Sequence, residues 1–138
     1  MDDEYCKFDE IAAQKFLDKV IDDVGKMDGK IILALSSDAV VGFIQGVIIE
    51  KDDLQHRPCR EGWTGLLFVD EKFRGGNVGR SLMSSICDYF YEKGCRHVKL
   101  FCGSQNTNAI AFYQKYGFTI SNLELKLDLT TDEAGGAS

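Results

Sequence analysis

The run Arg74-Gly75-Gly76-Asn77-Val78-Gly79-Arg80 is the part of the sequence best suited to chemistry. It follows an apolar stretch, Trp63 to Val69, and opens a helical one. With few side chains in the way, successive backbone N–H groups can converge, and the helix that follows adds partial positive charge at its start. Together they would cradle an anion such as a pyrophosphate. Arg74 and Arg80 flank the turn as further phosphate partners. The same glycines would equally serve a tight turn that needs unusual backbone angles. Two nucleotide-binding patterns do not fit. A P-loop spaces its glycines more widely than Gly75 and Gly79 and follows them with a lysine, which is missing here. A dinucleotide fingerprint needs G-x-G-x-x-G after the first strand, and only Gly76 and Gly79 keep part of that spacing. His56 and Cys59 stand at a metal-ligand spacing beside Pro58 but lack a second pair, so a surface loop and no metal are expected.

The elements that must position this turn follow from periodicity. Phe8 to Val24 carries Ile11, Phe16, Leu17, Val20, Ile21 and Val24 at helical spacing, and Gly25 and Asp28-Gly29 end the helix. Ile31 to Leu35 and Val40 to Ile49 flank Ser36-Ser37-Asp38 and predict a hairpin. Gly42 and Gly46 in its second strand mark a bulge or a close approach by another backbone. Glu50 to Glu61 is polar, contains Pro58 and predicts a loop, after which Trp63 to Val69 predicts a strand. Val78, Leu82, Ile86 and Phe90, widened by Met83 and Cys87, form the stripe of a helix closed by Gly94. His97 to Cys102 predicts a strand, and Asn106 caps a short helix that Gly117 stops. From Phe118 the chain reads as extended, with Leu123, Leu125, Leu127 and Leu129 alternating as in a half-buried strand. Residues 130–138 read as a frayed tail. This order predicts an α/β fold with a mixed central sheet flanked by helices, in one domain over residues 1–138.

Composition bounds the partners. A chain of 138 residues closes one core and leaves no room for a second catalytic domain. Sixteen basic against 22 acidic residues give a net charge of −6, which argues against nucleic acid. The same acidity leans towards a polycationic partner. Five cysteines, an odd number without C-x-x-C pairs, predict reduced thiols rather than a disulfide scaffold. The acidic start Met1-Asp2-Asp3-Glu4 is no signal peptide, and no stretch is apolar enough to span a membrane, so a cytoplasmic protein is expected.

Two stretches carry a family resemblance. Residues 67–82, from Leu67 through Arg74 and Gly79 to Leu82, resemble the acetyl-CoA signature of the GNAT superfamily of N-acetyltransferases, Q/R-x-x-G-x-G/A. Asn77 stands where that pattern has its middle glycine, and asparagine tolerates a left-handed backbone better than most residues. Residues 106–118, Asn106 to Phe118, resemble the family's N-x-x-A-x-x-F-Y-x-x-x-G-F helix. The resemblance covers about residues 31–129. It implies a GNAT-like sheet lacking the usual first strand and helix, with acetyl-CoA as co-substrate and an amine of a small molecule or protein as acceptor. It implies that backbone groups near Phe68 and Val69 pair with the pantetheine amides. The amides of Gly75, Gly76, Asn77, Val78, Gly79 and Arg80, beside Arg74, would hold the pyrophosphate. Asn106 matches a cofactor-contacting asparagine and also reads as a plain helix cap. Tyr113 matches the tyrosine that protonates the departing thiolate. For the base that takes the amine's proton, Glu61 is the first choice, with His97 and Glu124 as alternatives. A competing reading is a non-catalytic CoA-binding regulatory domain. The segment Asn122 to Leu129 is also expected to pair with a second copy in a homodimer.

Overall fold

The computed structural model describes residues 10–52 and 58–130; Phe8, His56 and the tail from residue 131 lie outside them. The chain divides into two compact units, residues 1–101 and 102–138. In the first, α1 (Glu10–Lys26) leads into the hairpin β1 (Lys30–Ser36) and β2 (Ala39–Asp52), then β3 (Pro58–Val69), α2 (Val78–Glu92) and β4 (His97–Lys99). The sheet runs in the order β1-β2-β3-β4, antiparallel except for the β3–β4 pair. This is the expected mixed α/β architecture.

The core lies between the sheet and α2. Leu82, Met83, Ile86 and Phe90 are buried on the helix, and Val41, Ile44 and Ile48 on β2 meet them. Phe90 is the largest of these, and glycines make its place. A Cβ on Gly62 would stand 2.4 Å from its ring, and one on Gly46 would stand 2.5 Å away. Those contacts are far inside van der Waals distance, so the bare backbone at both positions lets the helix settle onto β2 and β3. The close approach expected at Gly46 is therefore made by an aromatic side chain. Gly94, at φ 83°, stands just beyond the C-cap of α2, and its N–H reaches Tyr91 O at 3.0 Å.

Several expectations need correction. Within the polar run Glu50 to Glu61 the described residues are strand rather than loop, because β2 continues to Asp52 and β3 begins at Pro58; residues 53–57 lie outside the described residues. Its charges pair across the two strands: Arg60 Nε lies 3.1 Å from Glu50, and Lys51 lies 3.1 Å from Glu61. The first helix spans Glu10–Lys26, and its apolar face is largely uncovered, with Phe16 and Ile21 more than half exposed. The strand expected over His97 to Cys102 ends at Lys99.

The second unit holds α3 (Thr107–Tyr116). Asn106 caps it, its Oδ1 accepting from Ala109 N at 3.2 Å, and Gly117 ends it at φ 133°. Beyond the helix the expected strand does not form. Residues 118–128 pair with no strand, and Leu123, Leu125, Leu127 and Leu129 are exposed. Alternation offers a face for burial, but a strand needs a neighbour's hydrogen bonds, and none is supplied among the described residues.

Candidate active site

The site begins with a register slip. Gln45 pairs with Leu66 and Gly46 with Thr64, so Gly65 is an extra residue in β3. Such a bulge bends its strand and increases the local twist. On the other edge of β3, parallel pairing with β4 runs from Glu61↔His97 to Trp63↔Lys99 and stops just before the bulge. From Thr64 to Val69, β3 is held by β2 alone. An open cleft of about 170 Å³ lies where the two strands part, lined by Gln45, Val47, Trp63, Thr64, Gly65 and Phe101. Gln45 and Thr64 are buried polar residues there, and the Trp63 and Phe101 ring centroids lie 5.1 Å apart with the planes tilted by 35°.

Phe68 and Val69 sit on the separated part of β3, as a pantetheine-binding edge requires. The Val69 carbonyl accepts from Arg74 Nε at 3.0 Å, which ties the arginine back over the strand end. Asp70 caps a 3-10 turn, Glu71–Phe73, through Lys72 N, and its own N–H reaches the Val41 carbonyl at 2.7 Å. The glycine turn follows. Gly75 adopts φ 83°, and a Cβ there would meet nothing within 4 Å, so glycine is needed for its angle and the space beside it is open. Asn77 has φ −99° and ψ 5°, not the left-handed conformation its place in the signature suggested. It is the N-cap of α2, yet its side chain makes no capping hydrogen bond. The first backbone bond of the helix is Ser81 N to Asn77 O at 2.8 Å, so the amides of Val78 and Gly79 precede the ladder. A helix start with an unused cap, behind an open glycine turn, fits a diphosphate.

Glu61 is the fourth residue of β3 and not at its start, with a side chain only 7% exposed. Its Oε2 is ion-paired to Lys99, and Lys51 Nζ lies 3.1 Å from Oε1. Oε1 is buried, and its one close partner among the described residues is the Lys51 ammonium. The hydrogen bond from Lys99, helped by Lys51 and opposed by burial, holds the carboxyl below the usual range. A depressed carboxylate stabilises the fold above its unfolded pKa and loses that contribution as pH falls through the folded value. Glu61→Gln should therefore be clearly less stable than the parent at pH 7. The gap in urea unfolding should shrink by pH 3, and an equal gap at both pH values would rule out this account.

In the second unit, Tyr113 is half-buried between Phe112 and Phe118, with ring centroids 5.4 and 5.7 Å away. Burial, with a smaller effect from Cys102, raises its pKa, so the phenol is protonated at neutral pH. His97 and Glu124 are both exposed. His97 is the register partner of Glu61, whereas Glu124 lies in the unpaired stretch of the second unit. Sequence reasoning missed Lys51, Trp63, Gly65 and Lys99. The pattern Glu61-Gly62-Trp63-Thr64-Gly65, two glycines flanking an aromatic inside a strand, was the available signal for a bulge beside a cleft.

Comparison with known proteins agrees with this geometry. The acetyltransferase (GNAT) family model matches residues 1–118. The chain is 40% identical over 52 residues to an uncharacterised N-acetyltransferase of Methanocaldococcus jannaschii, covering 38% of this chain and 23% of that protein. It is 33% identical over 78 residues to N-alpha-acetyltransferase 30 of Dictyostelium discoideum, covering 56% and 42%. The matches thus span less than half the length of either curated relative. Among solved structures, a transcriptional regulator from Bacillus halodurans superposes with a TM-score of 0.74 at 19% identity. That match covers 89% of this chain and 81% of the other, and it carries the likeness of fold.

Proposed function

The chain belongs to the GNAT acetyltransferase family, and from that premise we propose that it transfers the acetyl group of acetyl-CoA to an amine. The observation that carries the reading is the parting of β3 from β4 after Trp63, on a strand that runs directly into the glycine turn. When bound, the co-substrate supplies an acetyl carbon activated as a thioester. The free edge of β3 at Phe68 and Val69 offers backbone groups to the pantetheine amides. The amides from Gly75 to Arg80 hold the diphosphate, with Arg74 alongside. Asn106 contacts the co-substrate beside its role as a cap.

Glu61 takes the proton that the amine loses. Its carboxylate is ionised at neutral pH and too weak a base to strip a free ammonium ion. It acts once the nitrogen has bonded to the acetyl carbon, when that proton is far more acidic. Tyr113 donates the proton that the sulfur gains on leaving.

Thiol release from acetyl-CoA with a panel of amines tests the reaction. Release above the amine-free blank supports transfer, whereas saturable binding without release would leave a CoA-binding module. The cradle has its own test. CoA at about 100 times its Kd should stabilise the protein by about 2.7 kcal/mol, read as a rise in Tm. Gly79→Val places a branched side chain against the amides that open α2 and should abolish the rise. A folded variant that binds CoA normally would move the diphosphate elsewhere.

The exposed leucines of residues 123–129 support a second copy as their cover. Light scattering of the intact chain should then give twice the 15.4 kDa monomer mass, and Leu125→Lys with Leu127→Lys should return it to a monomer. A monomeric parent at micromolar concentration ends that proposal.

A further inference from the structure

The cleft is lined by uncharged residues, but the sheet face that continues from Trp63 carries more positive charge than negative. The registers place Lys51, Glu61, Trp63 and Lys99 on one face of the sheet, with the exposed His97 beside Glu61. Glu50 and Arg60 alternate to the opposite face, where they pair with each other. On that face two ammonium groups therefore meet one carboxylate among the described residues. Lys99 Nζ also lies 5.8 Å from the centroid of the Trp63 ring, which lines the cleft.

Two buried polar atoms here lack a full set of partners among the described residues: Glu61 Oε1, an acceptor with only its Lys51 ion pair, and Trp63 Nε1, a donor with no hydrogen bond. Orphans of this kind each cost free energy unless a ligand or water satisfies them. An amine would answer only the first. From the excess of ammonium groups and the orphan indole N–H, we infer that the acceptor bears an anionic oxygen, a carboxylate or a phosphate, close to its amine. The amine donates to Glu61 Oε1, and the anionic oxygen accepts from Trp63 Nε1 and pairs with Lys99 and Lys51. This rests on the acetyl-transfer reading for the role of the amine but not for the binding of the anion. It also runs against the net charge of −6, since a site answers to its own few charges and distant surface charges are screened.

Trp63 is the sole tryptophan of the chain, so its fluorescence reports on the site without turnover. Inorganic phosphate and, separately, acetate should be titrated into the full chain saturated with CoA, which occupies CoA's own phosphate sites. At least one anion should change the emission saturably. Lys99→Met and Lys51→Met should each weaken it by about tenfold, the worth of one charge-assisted hydrogen bond. Lys99→Arg should restore most of the loss. A response to phosphate alone assigns a phosphorylated acceptor, and a response to acetate alone assigns a carboxylate.

Matched acceptors give the kinetic arm: glucosamine 6-phosphate against glucosamine, and alanine against alaninamide. The anionic member of the pair that fits should have a kcat/KM about tenfold higher or more. The ratio should fall in Lys99→Met and in Trp63→Phe, which keeps a ring and removes the N–H. The inference is overturned if neither anion gives a saturable response, or if the neutral members are the better substrates. An anion response with no acetylated amine would instead overturn acetyl transfer and leave the anion site standing.

Discussion

Tyr113→Phe should lower kcat by about 10²–10⁴-fold, the range for a positioned general acid, while KM for acetyl-CoA changes little. The substitution keeps the ring and so its edge contacts with Phe112 and Phe118, and it removes only the hydroxyl. Burial keeps that phenol protonated at neutral pH, which is the form a proton donor needs. In the proposed step the acceptor of the proton would be a thiolate whose conjugate acid has a pKa of about 8.5, close enough to a phenol's for transfer as the C–S bond breaks. Single-turnover measurement is the check, because slow product release would hide a loss in the chemical step. An unchanged single-turnover rate would mean that water protonates the sulfur. A loss of CoA binding as large as the loss of rate would make Tyr113 a packing residue.

Phe90→Ala should cost about 3–5 kcal/mol of unfolding free energy, a large part of the roughly 5–15 kcal/mol that holds a domain of this size together. Phe90 is fully buried, and the glycines at 46 and 62 leave no side chain able to fall into its place. A double-mutant cycle sharpens the expectation. Gly62→Ala alone drives a methyl into the ring and should destabilise, whereas in the Phe90→Ala background the same methyl enters the vacated space. The two changes should therefore couple by about 0.5–3 kcal/mol, measured by urea unfolding. Strict additivity would show that Gly62 matters for something other than the ring above it.

Much of the scaffold was legible because its signals are local. The stripe from Val78 to Phe90, the cap at Asn106 and the stop at Gly117 each need only neighbours within a turn or two, and all three appear in place. What escaped depends on partners far along the chain. Glu50, Lys51, Arg60 and Glu61 read as loop residues singly, yet as two facing strands their opposite charges pair. Leu123 to Leu129 is the converse, a good strand pattern with no strand beside it. The α1 stripe likewise specified a helix but not what covers it. For the site, the glycine turn could be read directly, whereas the cleft could not. It arises from one unpaired residue, and the charge beside it comes from two lysines brought in by different strands.

Gly65 has a consequence for how the protein can change. Because Thr64 and Leu66 pair with adjacent residues of β2, excising Gly65 would leave every β2 partner of that ladder where it is and merely straighten the strand. A straight β3 could zip to the β-prone run from His97 to Cys102 over its whole length, trading the slot for a longer, tighter sheet. The variant lacking Gly65 should then melt higher than the parent and fail to bind CoA. On the proposed reading, the slot thus hangs on one unpaired residue, and a single-codon deletion would trade ligand binding for a more continuous sheet.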